Sequence, residues 1–161
     1  MVLDVRKSLL PVDTSNNLSA PKVLGWNGYK YIVAVASGTF SGAGDGSTKT
    51  FSLGQEDIVH GTLVVKVNNV TKTEGTDYTV DYKYGKITFA TAPGNAVPVT
   101  ATFSYFAADP SAILIEDVSA GQNPPYALCL IMGEYPNFSL LADVRYRLQR
   151  NGIYIFDPKT A

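Results

Sequence analysis

The chain has 161 residues, 45% hydrophobic and only 17% charged, with a formal net charge of −1. That length allows one domain or two small ones, and the apolar share suffices for a core. The near-neutral balance excludes the basic footprint of a nucleic-acid or membrane-surface binder, the single cysteine excludes an internal disulfide framework, and no apolar run approaches the roughly 20 residues of a membrane-spanning helix.

The N-terminal MVLDVRKSLLPVD places an acid before its bases and lacks the long apolar segment of a signal peptide, so synthesis in a reducing cytoplasm is expected. Residues 1–22 mix short apolar pieces with Pro11, Pro21 and the polar run Asp13–Ser19, which predicts an extended arm rather than a packed element. Lys22–Trp26 and Tyr29–Ala36, separated by Asn27-Gly28, predict a hairpin with a type I′ turn. Ser37–Ser47 is rich in Gly and Ser and predicts a linker or long flexible loop.

From Thr48 to Phe106 the pattern is all β. Thr50–Leu53 and Thr62–Val67 predict strands, and Asn68-Asn69 a turn from which Val70–Thr73 pairs back. Asp77–Tyr82 alternates, Gly85 turns the chain into Lys86–Phe89, and Val97–Tyr105 sets Val97, Val99, Ala101, Phe103 and Tyr105 on one face. Short strands at this spacing predict a small sandwich or barrel.

Ala107–Pro110 marks a second boundary. Ile113–Ile115 predicts a short strand, Asp117–Tyr126 a loop, and Ala127–Met132 a strand buried on both faces. Phe138–Arg150 predicts the helix: Leu140, Leu141, Val144 and Leu148 recur at helical spacing, Asn137 or Ser139 can cap it, and Gly152 can end it before a last strand, Ile153–Phe156.

The chemistry-bearing residues are few. His60 stands alone between strand signals, without a nucleophile and an orienting acid in view. Cys129 lies among leucines, unlike a reactive thiol. Asp45, Glu74, Asp77 and Asp81 do not follow a calcium-loop spacing. Trp26, Tyr29 and Tyr31, or Tyr78, Tyr82 and Tyr84, could stack on a sugar, although strand aromatics usually form core. Arg145, Arg147, Arg150, Lys7 and Lys22, in a chain of net charge −1, predict a solvated or salt-bridged face rather than a nucleic-acid site. No catalytic residue, metal ligand or cofactor site is expected, and a non-enzymatic protein follows.

Two resemblances add to this reading. Leu10, Asp13, Thr14, Ser15, Lys22, Leu24, Trp26 and Gly28, followed after a long interval by Asp117, Gly133, Glu134 and Tyr135, resemble the lambda-like family of tailed-phage head decoration proteins. Ala112 stands where that family has Gly, and about 70 residues, Ser37–Ala107, have no counterpart in its minimal members. That segment, with TEGTDYTVD, GKITF and VPVT, resembles a small β-domain recurring in phage structural proteins. The resemblance implies a mainly β protein. A β-tulip-like base with one helix would comprise residues 1–36 and 108–161, and residues 37–107 would form an inserted, protruding sandwich or barrel-like domain.

It also implies a virion protein, made in the host cytoplasm, that binds the major capsid protein on the outside of the expanded head as a homotrimer and cements it. The arm residues Val2, Leu3, Val5, Leu9, Leu10, Val12 and Asp13 would then make the capsid contact, with Trp26, Ile113, Leu114 and Leu128 as base core. The alternative is a tail- or baseplate-associated adhesion module that binds host-surface glycan through the inserted domain's tyrosines.

Overall fold

The computed structural model describes residues 6–136 and 140–156. The protein is mainly β, with one short helix among the described residues. It divides into two compact units, residues 1–35 with 107–161, and residues 36–106.

In the first unit, β1 (Arg6–Pro11), β2 (Lys22–Trp26), β3 (Tyr31–Val33), β11 (Pro110–Leu114) and β12 (Tyr126–Pro136) run in the order β1-β12-β11-β2-β3. Each neighbouring pair is antiparallel. The two ends of that order meet: Val12 bridges Tyr31, and the Asp13 N–H donates to the Tyr31 carbonyl at 2.8 Å. The sheet therefore closes on itself at this seam, which pairs part of an edge that would otherwise be open.

The predicted free arm is thus corrected. Leu10 and Val12 are drawn onto the first unit's own core because β12 offers Arg6–Pro11 a continuous antiparallel partner. Val2, Leu3 and Val5 lie outside the described residues.

The apolar runs of β11 and β12 are explained by burial on two faces. Leu24, Ala112, Leu114, Ala127 and Cys129 share one core with Val12 and Val118. Val23, Ile113 and Leu130 alternate with them onto the opposite face and are buried as well. The helix α1 (Ala142–Arg150) runs against β11, with Val144 and Leu148 as its buried residues.

The helix begins later than its sequence pattern predicts. Leu141 is the N-cap and makes no side-chain capping bond; Asn137, Phe138 and Ser139 lie outside the described residues. Asp143 in the first turn and Arg147 and Arg150 in the last complement the helix dipole. Gly152, with φ +79°, reverses the chain into β13 (Ile153–Phe156), which pairs in parallel with the end of β12. A helical crossover between parallel neighbours is what that pairing requires.

The second unit is a two-sheet sandwich. One sheet has the order β4-β10-β6-β7, from β4 (Val35–Ala43), β10 (Pro98–Phe106), β6 (Val64–Val67) and β7 (Val70–Thr71). The other has the order β5-β9-β8, from β5 (Thr50–Ser52), β9 (Lys86–Phe89) and β8 (Tyr78–Asp81). Both contribute to one core: Val65, Val99, Ala101 and Phe103 from the first, Tyr78, Ile87 and Phe89 from the second.

The turn chemistry differs from expectation at one hairpin and matches it at another. Between β2 and β3 the turn is four residues, Asn27–Lys30, in which the Asn27 side chain accepts from the Tyr29 and Lys30 N–H groups and only Gly28 has positive φ. The type I′ pattern is found instead at Asn68-Asn69, with φ of 50° and 61°, directly joining the Val67–Val70 pair.

The Gly/Ser-rich segment is also corrected. Residues 37–43 are not a linker but most of β4. Its glycines are steric necessities: a Cβ on Gly38 would enter the Phe103 ring, and one on Gly42 would reach Phe40 at 2.8 Å.

Candidate interaction surfaces

The residues singled out for chemistry are mostly engaged in local structure. Asp45 accepts from the backbone and hydroxyls of Ser47 and Thr48, which hold its carboxyl well below the usual range. Asp77 accepts from the Thr73 N–H at 2.8 Å, and Asp81 from the Tyr84 N–H at 3.1 Å. These are turn-shaping carboxylates. Among the described residues no three of His, Cys, Asp and Glu gather as a metal site.

His60 stacks on Tyr82 with ring centroids 3.9 Å apart, and the Tyr82 hydroxyl donates to Glu74 at 2.7 Å. Burial first, then the Glu74 carboxylate, drive the Tyr82 hydroxyl upward in pKa. These contacts form a side-chain brace across the β8 region. Cys129 is fully buried, and burial pushes its thiol up to about 12, the opposite of what a nucleophile needs.

One shallow cleft of the second unit, about 310 Å³, is lined by residues including Val67, Lys72, Asp77, Phe89 and Pro93.

The aromatic sets separate. Tyr78 is buried in the sandwich core, Tyr82 is tied to Glu74, and Tyr84 alone of the three is exposed, so they form no continuous stacking row. In the first unit the outcome is the reverse. Trp26, expected in the core, is 46% exposed and Tyr29 is 88% exposed. Trp26 leans on Tyr31, ring centroids 5.3 Å apart. The reason is position along the strand: Trp26 shares the parity of Leu24 but is the last residue of β2, at the rim where the core layer ends. Ile113 and Leu114 are fully buried, and Leu128 is half-buried.

The arm residues divide as well. Val12 is 1% exposed, and Asp13 is held by the Lys30 ammonium at 2.7 Å and by Ser15. These two take part in closing the unit, through their backbone pairing with Tyr31. Leu9 is 65% exposed on β1, which stands at the end of the strand order. The basic residues expected on the helix include Arg147, which reaches Asp109 at 3.2 Å.

Sequence reasoning missed the surface on β4. Ser37, Thr39, Ser41 and Ala43 are exposed at alternate positions of that nine-residue strand. The signal was their period of two, masked by the intervening glycines.

No family model matches the chain, and no solved structure matches it. A search of curated proteins finds similarity to an uncharacterized protein, MJ0340, of Methanocaldococcus jannaschii. The two are 38% identical over 101 residues, which is 61% of this chain and 40% of that protein. The chain thus spans well under half the length of the curated relative it matches.

Proposed function

We propose that this chain is a virion structural protein, a capsid decoration or cement protein that binds the major capsid protein on the outer surface of an expanded phage head. The observation that carries the reading is β1, a strand at the end of the first unit's order that exposes Leu9 at 65%. A terminal strand with an exposed apolar side chain can pair with a capsid subunit's edge through its backbone and anchor by that side chain. The low charge and the resemblance of Leu10, Asp13, Trp26 and Gly28 to the decoration family support the same reading.

On this reading the first unit, a β-tulip-like base, grips the capsid as a homotrimer, and the second is an inserted, outward module. The test adds the full chain and a Leu9→Asp variant to undecorated expanded capsids. Saturable binding by the former, weakened at least tenfold in the latter, is expected. Failure of the full chain to bind sinks the proposal; equal binding by both removes β1 from it.

A second reading, an adhesion module for host-surface glycan, is favoured by one observation, the exposed pair Trp26 and Tyr29 beside Tyr31. Exposed indole and phenol faces stack on apolar sugar faces. Glycan-array binding lost in Trp26→Ala, without loss of capsid binding, would establish it.

A further inference from the structure

β4 is a nine-residue edge strand of the sandwich, VASGTFSGA, with no charge and no proline. The unit's other edge strands are managed differently. β7 has two residues and runs into Lys72; β5 has three and follows Lys49; β8 has four and ends at Asp81. Shortness and charge are the usual protections against edge pairing, and β4 has neither.

The backbone of β4 can be assigned side by side. On β10, the Pro98 carbonyl accepts from Asn68, the Ser104 carbonyl accepts from Val59, and the Phe106 N–H donates to Asp57. Those even-numbered groups point away from β4, so the odd-numbered residues of β10 face it.

Two bonds bracket the β4–β10 pair: the Ala107 N–H to the Ala34 carbonyl, and the Gly44 N–H to the Val97 carbonyl. Both fit one antiparallel register from end to end, with no net bulge, and in it the even residues of β4 face β10. The odd residues, Val35, Ser37, Thr39, Ser41 and Ala43, therefore direct N–H and C=O outward. Among the described residues no backbone bond leads from that outer side.

We infer that this edge is an interface for a second copy of the chain, with β4 paired antiparallel to β4 across a two-fold axis at Thr39. Thr39 is the middle residue of the strand, so this register uses its whole length. Thr39 then lies opposite Thr39, and Ser37 opposite Ser41, giving hydroxyl pairs and no like charges. On the other face Phe40 lies opposite Gly38, so no bulky side chain meets another. The same sequence read in both directions fits itself, which is the condition for a two-fold interface. This pairing does not depend on the capsid reading.

The full chain is tested by sedimentation across the micromolar to millimolar range, with cysteine cross-linking as a second readout. Wild type is expected to reach twice the 17.3 kDa chain mass. Thr39→Lys and Thr39→Glu, each outward on an edge, should be monomeric with unchanged circular dichroism. An equimolar mixture of the two should recover the dimer. Under oxidation Thr39→Cys should cross-link to itself, whereas Ser37→Cys alone should not.

A monomeric wild type together with no Thr39→Cys cross-link overturns the proposal. So does a dimer or trimer that Thr39→Lys leaves intact. A monomer whose Thr39→Lys variant loses attachment to some other protein assigns the edge to a different partner and overturns the second-copy claim.

Discussion

The Asp13 carboxylate lies 2.7 Å from the Lys30 ammonium at the seam where β1 and β3 bring the two ends of the first unit's sheet together. Two residues that are far apart in sequence thus latch the closure, alongside the backbone bond from Asp13 to Tyr31.

The latch has a pH signature. The hydrogen bond from Lys30, then that from Ser15, lower the Asp13 carboxyl from its ordinary 3.8 to about 2. A folded-state value below the unfolded one means the stabilisation is full above pH 3.8 and is lost as pH falls through about 2. Both side chains are partly solvated, so the contribution is about 1 kcal/mol rather than the larger figure the shift alone would give. Asp13→Asn should lower stability by that amount at neutral pH in chemical denaturation. It should also remove the corresponding part of the acid dependence; a variant with an unchanged pH profile would discard the latch.

Gly85 is a fixed point of the second unit. Its φ is +57°, and a Cβ there would overlap the Gln55 carbonyl. The neighbouring backbone bond from Leu53 N–H to the Gly85 carbonyl leaves little room for relief. Gly85→Ala should cost roughly 2–4 kcal/mol. Gly75, whose φ is +80° but whose Cβ would meet nothing, should cost less as Gly75→Ala. Equal losses in the two variants would refute the steric account.

Cys129 should be silent in the native protein. With its thiol fully buried and held near pKa 12, it should resist alkylation at pH 8 and react at the ordinary rate only in denaturant. Mass spectrometry of the native protein after iodoacetamide should show no adduct.

Trp26 and Ile113 should separate surface from core. Trp26 is the chain's one tryptophan, and its 46% exposure predicts ready acrylamide quenching without unfolding. Trp26→Ala should cost under about 1.5 kcal/mol, whereas Ile113→Ala, at a fully buried site, should cost about 2–5 kcal/mol. A reversal of that order would mean Trp26 is a packing residue after all.

Much of the second unit was legible in the chain. Val99, Ala101 and Phe103 alternate with Thr100 and Thr102, and a period of two leaves a half-buried strand little other choice. Asn68-Asn69 between valines forecast its turn because Asn tolerates positive φ. β4 was not legible, since Gly38 and Gly42 read as flexibility until Phe103 and Phe40 are seen to occupy the space beside them.

The first unit shows the same division. Local chemistry decided that Arg6–Pro11, Lys22–Trp26 and Ala127–Met132 would be extended. Only the assembled sheet decided that Arg6–Pro11 lies on β12 and that Val12 is buried, because a strand's hydrogen bonds go to whichever edge is offered. The sequence by itself determined a charge-poor, mainly β chain with one amphipathic helix, for periodicity and turn residues act over a few positions. The tertiary structure decided which edges close within the chain, as at Asp13 and Tyr31, and which strand ends a sheet, as β4 does, since edge partners lie many residues apart and no local pattern names them.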